Sequence, residues 1–189
     1  MRTLCVLLSI GVGVLAKITE ETFGTVHDGK LMFTNYEPVQ FARQPQSGGQ
    51  RIRNFPAYLD DDGYSYFGQA YQREDLAFCA VFNVRQKIVK TCDRFRILVN
   101  IPGNEYNLRR YENLKESDEK MTIGDATLVL AKDIEREGDT VFGTLFQRNS
   151  GPPVVQYIDY NFDAKELVLE GGESSKYVLF VVKSKLESE

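Results

Sequence analysis

The chain of 189 residues carries 23 basic and 27 acidic side chains, which gives a formal net charge of -4. A mildly acidic chain with mixed signs argues against a nucleic-acid partner, which needs a basic surface, and against an anionic membrane as the main partner. The length suits about one domain with a substantial hydrophobic core.

The first segment of the chain predicts a secretory signal peptide over residues 1–16. One arginine precedes an apolar run, and Val14-Leu15-Ala16 places small residues at a cleavage position. The run is too short to span a membrane as a helix, and no later run in the sequence is long enough. Cleavage would leave a chain that begins at Lys17, with 22 basic and 27 acidic residues and a net charge of -5. The alternative is an N-terminal anchor.

Beyond an N-terminal extension at 17–53, which contains a flexible loop at 44–50, most of the chain alternates apolar and polar residues with the period of β-strands. Turns rich in Asp, Gly, Pro and Asn separate these segments. Many short strands at this spacing predict an all-β fold, a compact sandwich or barrel. The predicted strands are residues 64–71, 79–84, 87–92, 95–99, 127–131, 140–147, 154–162, 166–169 and 177–182.

Two cysteines follow the signal peptide. Cys79 and Cys92 bracket a segment that alternates about Arg85-Gln86 like a hairpin, so the two thiols would lie opposite each other. An even pair in an oxidising compartment predicts one cross-strand disulfide. The alternative is a pair of buried free thiols.

The chain matches itself at an offset of 75 residues. The pattern G-x-x-x-F-G-x-x-Y-Q-R at 63–73 corresponds to G-x-x-x-F-G-x-x-F-Q-R at 138–148. We therefore expect two pseudo-symmetric antiparallel β repeats, at 54–103 and 122–189. The polar, charged segment between them, 104–121, is expected to be a linker or a short helix.

The two copies share further features. Each follows an acidic turn, 60–62 or 135–137, and each ends in a similar strand, 95–99 or 177–181. Each also carries a glycine inside a predicted strand, Gly68 in the first copy and Gly143 in the second. A glycine within a strand usually marks a bend, a bulge or a close approach of backbone. We interpret both glycines as structural.

The first copy, DDDGYSYFGQAYQREDL with the hairpin and the FRILV strand that follow, resembles the DM-nine repeat. Asp62-Gly63 match its acidic turn, residues 66–71 match its Y-[VI]-G-R-A-[YH] core, and the second copy matches its G-G-x-E turn at 171–173. The first copy departs from the pattern at Gln69, which replaces arginine, neither copy has the Gly-Lys step, and the chain contains no Trp. The resemblance implies a compact β fold of two repeats. It also implies carbohydrate recognition, typically of mannose-type sugars, in innate defence, as in the N-terminal lectin part of natterin-like proteins.

The candidate ligand-binding residues follow from this resemblance and from strand geometry. Tyr64 and Tyr66 share one face of a predicted strand and would stack on a sugar ring. The Asp62 carboxylate and the Gln69 amide would bind the sugar hydroxyls. The alternative is core packing with cross-strand tyrosine pairs.

The acidic turn does not match an EF-hand, because Tyr58 and Gln69 would occupy the first and last ligand positions. We favour a solvated turn, and a looser Ca²⁺ site is the alternative. No metal or cofactor is therefore expected. His27 is the sole histidine, and no nucleophile motif or glycine-rich phosphate loop is present. We expect a protein that is not an enzyme.

Four basic residues accompany the first hairpin, and charges of this kind usually protect an exposed strand edge from pairing. We interpret them in that way rather than as a site for an anionic partner. They are Lys87, Lys90, Arg94 and Arg96.

The sequence therefore predicts a secreted carbohydrate-binding protein that recognises microbial or host glycans. The partner would be a glycan or another small ligand, with a homodimer left open. The alternative is a secreted carrier that closes a β-barrel around a small hydrophobic ligand. A weaker likeness, at residues 123–125, 155–158 and 171–172, is to small secreted insect proteins known as multiprotein-bridging-factor-two-like.

Overall fold

The computed structural model describes residues 22–32, 35–41, 46–47, 50–51, 54–132, 140–148, 150–170 and 175–185. The predicted signal peptide, most of the predicted loop at 44–50, the acidic turn at 135–137 and the turn at 171–173 lie outside these residues. In the part of the chain that is described, no helix is long and apolar enough to cross a membrane.

Short antiparallel strands joined by tight turns make up almost all of the described chain, which confirms the all-β fold. A two-stranded ribbon, β3 (Gln46–Ser47) with β4 (Gln50–Arg51), stands apart from the two large sheets. The first sheet contains β1 (Phe23–His27), β2 (Lys30–Met32), β5 (Asn54–Asp61), β6 (Tyr64–Gln72), β7 (Phe78–Val84), β8 (Lys87–Thr91) and β9 (Phe95–Leu98).

The second sheet is built from the later strands. Two short 3₁₀ turns, Tyr111–Asn113 and Ser175–Tyr177, accompany it. Its strands are β10 (Asn104–Arg109), β11 (Glu119–Lys120), β12 (Thr122–Ile123), β13 (Ala126–Lys132), β14 (Thr140–Phe146), β15 (Val154–Ile158), β16 (Ala164–Val168) and β17 (Val178–Lys185).

The two sheets have the same strand order. The first runs β2-β1-β9-β5-β6-β7-β8, and the main path of the second runs β10-β17-β13-β14-β15-β16. Apart from β2, each strand of the first sheet has a counterpart in the second: β1 corresponds to β10, β9 to β17, and β5 through β8 to β13 through β16. This is the topology expected of two pseudo-symmetric repeats.

The two interior glycines occupy equivalent positions in their sheets, and the same physical constraint requires a glycine at each. A Cβ on Gly68 would lie 2.2 Å from the Val81 carbonyl oxygen, and a Cβ on Gly143 would lie 2.5 Å from the carbonyl oxygen of Gln156. Val81 and Gln156 are again 75 residues apart. The backbone of the next strand thus comes too close for any side chain, as the sequence suggested.

The strand register shows that β9 and β17, the last strands of the two repeats, are equivalent with a shift of one residue from the sequence alignment. Ala57 pairs with Gly68 and with Ile97, whereas Val129 pairs with Gly143 and with Phe180. Ile97 is therefore the counterpart of Phe180, not of Leu179 as the match of 95–99 to 177–181 implies.

The core has three parts. A central cluster between the sheets includes Phe67, Leu98, Leu128, Phe142 and Val181. A second cluster fills the outer face of the first sheet, and a third fills the outer face of the second sheet. Because the outer clusters draw almost entirely on one sheet each, each sheet curves around a core of its own.

Three sequence expectations change in the structure. The segment expected as a linker or helix begins as a strand, β10, which pairs with β17 along its whole length. The N-terminal extension contributes β1, which pairs with β9 inside the first sheet. The strand predicted at 154–162 ends at Ile158, because the Asp159 carboxylate accepts the backbone N–H groups of Asn161 and Asp163 and forms a turn.

The predicted hairpin and disulfide are confirmed. Arg85 and Gln86 both have positive φ, 50° and 64°, as a two-residue hairpin turn requires. Cys79 and Cys92 are bonded across β7 and the end of β8, with their Cα atoms 4.0 Å apart.

Candidate functional site

An open cleft of about 530 Å³ lies on the first sheet, on the face that also contributes to the central core. Three adjacent strands form its floor. Register places Thr25 of β1, Arg96 of β9 and Tyr58 of β5 in one row across the sheet. Since side chains two residues apart share a face, His27, Arg94 and Asp60 continue this face towards the strand ends, and all six line the cleft.

The floor is held in place by aromatic packing beside it, on the same face of the sheet. The Tyr58 ring lies 5.7 Å from Phe23 and 5.7 Å from Phe67, measured between ring centroids. The Arg96 guanidinium carbon lies 6.0 Å from the Tyr58 centroid, at the outer limit of a cation–π contact. Tyr58 is only 4% exposed, so its ring is not available for stacking on a ligand.

The polar end of Tyr58 meets other hydrogen-bonding groups. Its hydroxyl oxygen lies 3.4 Å from Ser65 Oγ. Burial raises the pKa of Tyr58, so the phenol keeps its proton at neutral pH and remains a donor. The exposed Asp60 carboxylate is an acceptor on the same face. Donors and acceptors therefore converge within one cleft.

A carboxylate fixes the rim of the cleft. Asp93 Oδ1 bonds His27 Nδ1 and accepts the backbone N–H of Asp28 at 3.1 Å. This side-chain hydrogen bond raises the pKa of His27 and lowers the pKa of Asp93. The pair ties the β1–β2 turn to the β8–β9 turn at the end of the cleft that His27 and Arg94 line.

The same rim holds a group of possible cation ligands. The donor atoms of His27, Asp28 and Asp93 lie within 4.8 Å of one another. Two of the three residues are exposed, and the third accepts bonds from the other two. The hydrogen bonds among them account for this proximity.

Three of the four predicted ligand-binding residues gather elsewhere, around Arg85. Asp62 and Gly63 form the turn between β5 and β6 with φ of 50° and 77°. Tyr64 is half-exposed, and the guanidinium carbon of Arg85 lies 4.6 Å from its ring centroid. The contact with the Tyr66 hydroxyl raises the pKa of Arg85.

This cluster differs from the predicted sugar face. Tyr66 is buried in the outer core of the first sheet, with its ring edge-on to Phe146 at 6.0 Å. Gln69 lies on the opposite face of β6, is buried, and accepts a hydrogen bond from Asn54 at 3.3 Å. The structure thus brings together Asp62, Tyr64 and Tyr66 but separates them from Gln69.

Sequence analysis did not predict Arg94 and Arg96 as cleft residues, because it interpreted the basic residues near the first hairpin as protection of an exposed strand edge. Lys87 and Lys90 do lie on β8, the edge strand of the first sheet. Arg94 and Arg96 do not, since β9 lies between β1 and β5. The signal that would have found them is their alternation with the apolar Phe95 and Ile97, which places both arginines on the face opposite the outer core.

Comparison with known proteins gives a structural likeness only. No family model matches the chain, and no curated protein matches it. The crystal structure of the nematode sperm cell motility protein MFP2B superimposes with a TM-score of 0.64 at 14% sequence identity. The match covers 88% of this chain and 46% of that one, so this chain spans just under half the length of MFP2B. At this identity the likeness concerns the fold.

Proposed function

We propose that the protein is a secreted carbohydrate-binding protein that recognises microbial or host glycans, and that it binds the sugar in the cleft of the first sheet. The observation that carries the proposal is the convergence of Arg96, Asp60 and the Tyr58 hydroxyl in a cleft of about 530 Å³. This volume lies in the usual range of small-ligand sites.

The chemistry of these groups suits a polyhydroxylated ring. A guanidinium presents several N–H donors in a fixed fork, and a carboxylate accepts hydrogen bonds from hydroxyl groups. Arg96 and Asp60 would bind neighbouring hydroxyls from two sides, and Thr25, which is exposed, adds a third group. Met32 supplies an apolar wall for a C–H face of the sugar.

Secretion is supported by two features. The Cys79–Cys92 disulfide suits an oxidising compartment, where such bonds form and persist. The N-terminal run with its cleavage-like motif suits export. Both agree with a protein that meets glycans outside the cell.

A glycan array tests the proposal, with the chain from Lys17 screened in the presence and absence of Ca²⁺. Selective binding is expected, and Asp60→Asn and Arg96→Gln should each weaken it about tenfold or more, the usual effect of losing a charge-assisted hydrogen bond. Arg73→Gln and Asp75→Asn are matched controls, because these residues form an exposed ion pair on another turn.

Two results would contradict the proposal. One is a folded protein that binds no glycan in either condition. The other is binding that survives Asp60→Asn and Arg96→Gln but is lost in Asp62→Ala, which would move the site to the Arg85 cluster. Asp62 is exposed in its turn, so the last variant should remain folded.

The carrier alternative has a less suitable place in the structure. A mostly apolar hollow opens beside Tyr111, Leu145 and Phe180, but its volume is about 120 Å³. Cavities for small organic ligands are usually about 300 Å³ or larger. The cleft of the first sheet therefore supports the sugar-binding function better.

A further inference from the structure

A second open cleft, of about 500 Å³, lies on the second sheet. Its position corresponds to that of the first cleft. Ile97 pairs with Gly24 in the first sheet, and its counterpart Phe180 pairs with Arg109 in the second. One residue further on, Thr25 and Arg96 of the first cleft correspond to Arg110 and Leu179, and both of these line the second cleft.

The two clefts occupy equivalent positions in their own sheets but differ in the chemistry of their lining residues. The first contains Asp60 among its lining residues, whereas the described residues that line the second include no acid. Two arginines, three side-chain amides and one phenol supply hydrogen-bond donors there. Phe41, Leu108 and Leu179 supply an apolar wall. This lining suits a ligand that combines a negative group with an apolar body.

One buried donor at the second cleft lacks an acceptor. Tyr106 Oη is buried without a hydrogen-bond partner in the part of the chain that is described. Burial raises the pKa of Tyr106, and the nearby Asn104 side chain lowers it without reaching hydrogen-bonding geometry. Arg109 Nε is also without a partner, 3.7 Å from Asp118 Oδ2, but alternation along β10 places Arg109 on the face opposite Tyr106 and Arg110. An unpaired buried donor is rare, and an anionic oxygen would satisfy the Tyr106 hydroxyl.

The charge of Arg110 is available to a ligand. Its nearest carboxylate, on Glu112, is 3.9 Å away, and both side chains are about half exposed. Such surface pairs contribute little and exchange readily with solvent or ligand. The Asp118 carboxylate is already engaged by the Lys115 N–H at 2.9 Å and the Ser184 hydroxyl at 2.8 Å.

We propose that this second cleft binds a small organic anion. Its carboxylate, sulfate or phosphate group would meet Arg110 and the Tyr106 hydroxyl, and its apolar part would pack against Phe41, Leu108 and Leu179. The duplicated fold then carries two sites of different specificity, one for a neutral sugar and one for an amphipathic anion.

The test uses two fluorescent probes of almost the same shape. Anilinonaphthalene sulfonate carries an anionic group on an aromatic body, and N-phenylnaphthylamine has the same body without the charge. The folded chain from Lys17 should bind the sulfonate saturably, with one probe per chain, and bind the amine at least about tenfold more weakly.

Variants locate the binding. Arg110→Gln and Tyr106→Phe should each weaken sulfonate binding, Arg110→Gln by about tenfold or more because it removes the charge. Arg73→Gln is the matched control, an exposed arginine on another turn. Arg110 is exposed, so its replacement should leave the fold intact, which circular dichroism would verify.

Several outcomes would overturn the inference. They are absence of saturable sulfonate binding, equal affinity for the two probes, or unchanged affinity in Arg110→Gln. The test is independent of the sugar proposal, because Arg96→Gln should leave sulfonate binding unchanged and Arg110→Gln should leave glycan binding unchanged. A loss of sulfonate binding in Arg96→Gln alone would assign the anion to the first cleft instead.

Discussion

Thr144 and Phe67 join the two repeats through a single hydroxyl. Thr144 Oγ1 accepts the Phe67 N–H at 2.7 Å and donates to the Phe67 carbonyl oxygen at 3.0 Å. Pairing between β6 and β7 begins only at Gln69, so these two backbone groups have no strand partner on that side. A buried side chain from the second repeat therefore satisfies the backbone of the first.

Replacing this hydroxyl should cost stability. Thr144→Val keeps the shape but leaves the Phe67 N–H and C=O unpaired, and Thr144 is fully buried. At roughly 1–3 kcal/mol for each buried unsatisfied group, we expect the free energy of unfolding to fall by about 2–6 kcal/mol in urea denaturation. Thr144→Ser should recover most of it. Equal stabilities for the Val and Ser variants would show that the hydroxyl is not needed.

The two interior glycines give a second prediction. Gly68→Ala and Gly143→Ala place a methyl group 2.2 Å and 2.5 Å from the carbonyl oxygens of the neighbouring strands. The strands must move apart, so we expect each variant to lower the free energy of unfolding by about 2–4 kcal/mol or to prevent folding.

Gly151→Ala is the control for these variants. Gly151 has a φ of 98° but open space around its Cβ position, so the substitution costs only backbone strain, about 1–2 kcal/mol. Thermal denaturation of the three variants should show the smallest loss for Gly151→Ala. If Gly68→Ala were as stable as the natural protein, the close approach would not be a constraint on the sequence.

Period-two alternation between turn residues predicted β6 to β9 and β13 to β17. It missed β5, because Pro56 argues against a strand inside a sheet. The structure tolerates this proline because β9 pairs with β5 only at Ala57 and Tyr58. It also missed β10, whose charged residues resembled a helix but lie on a sheet edge.

The candidate site was harder to predict for a geometric reason. A single strand shows which residues share its face but not how far along that face the covering residues extend, so Tyr64 and Tyr66, on one face, looked equally accessible. The first is half-exposed and the second is 3% exposed. The cleft instead combines β1, β5 and β9, which are brought together by pairings 38 and 71 residues apart in the chain, between Tyr58 and Arg96 and between Thr25 and Arg96. Sequence alternation contains no information on these neighbours.

The disulfide gives a third prediction. Cys79 is buried, and the bond closes a hairpin over 13 residues. Cross-linking a loop of this size restricts the unfolded chain and stabilises the fold by about 3 kcal/mol. The double variant Cys79→Ser, Cys92→Ser should therefore unfold at lower urea concentration, and reduction of the natural protein should have a similar effect. Unchanged unfolding in both experiments would contradict a structural role for the bond.

The pairing of His27 with Asp93 predicts how the rim of the first cleft responds to pH. The pKa of His27 is raised above 6.5, so the stability that its charged form contributes is fully present below 6.5 and is lost as the pH rises through the folded-state pKa. The pKa of Asp93 is lowered below 3.8, so its contribution is present above 3.8 and is lost as the pH falls through the folded-state pKa. The pair should hold the two turns together most firmly between pH 3.8 and 6.5.

Because His27 is the sole histidine, its ring signals in a proton NMR titration are free of overlap from other histidines. The natural protein should titrate above 6.5, and Asp93→Asn should bring the pKa of His27 back towards 6.5. Asp75→Asn, on a separate turn, should leave it unchanged. A His27 pKa at or below 6.5 in the natural protein would show that the hydrogen bond to Asp93 does not form in solution, and the two turns would then lack this link at all pH values.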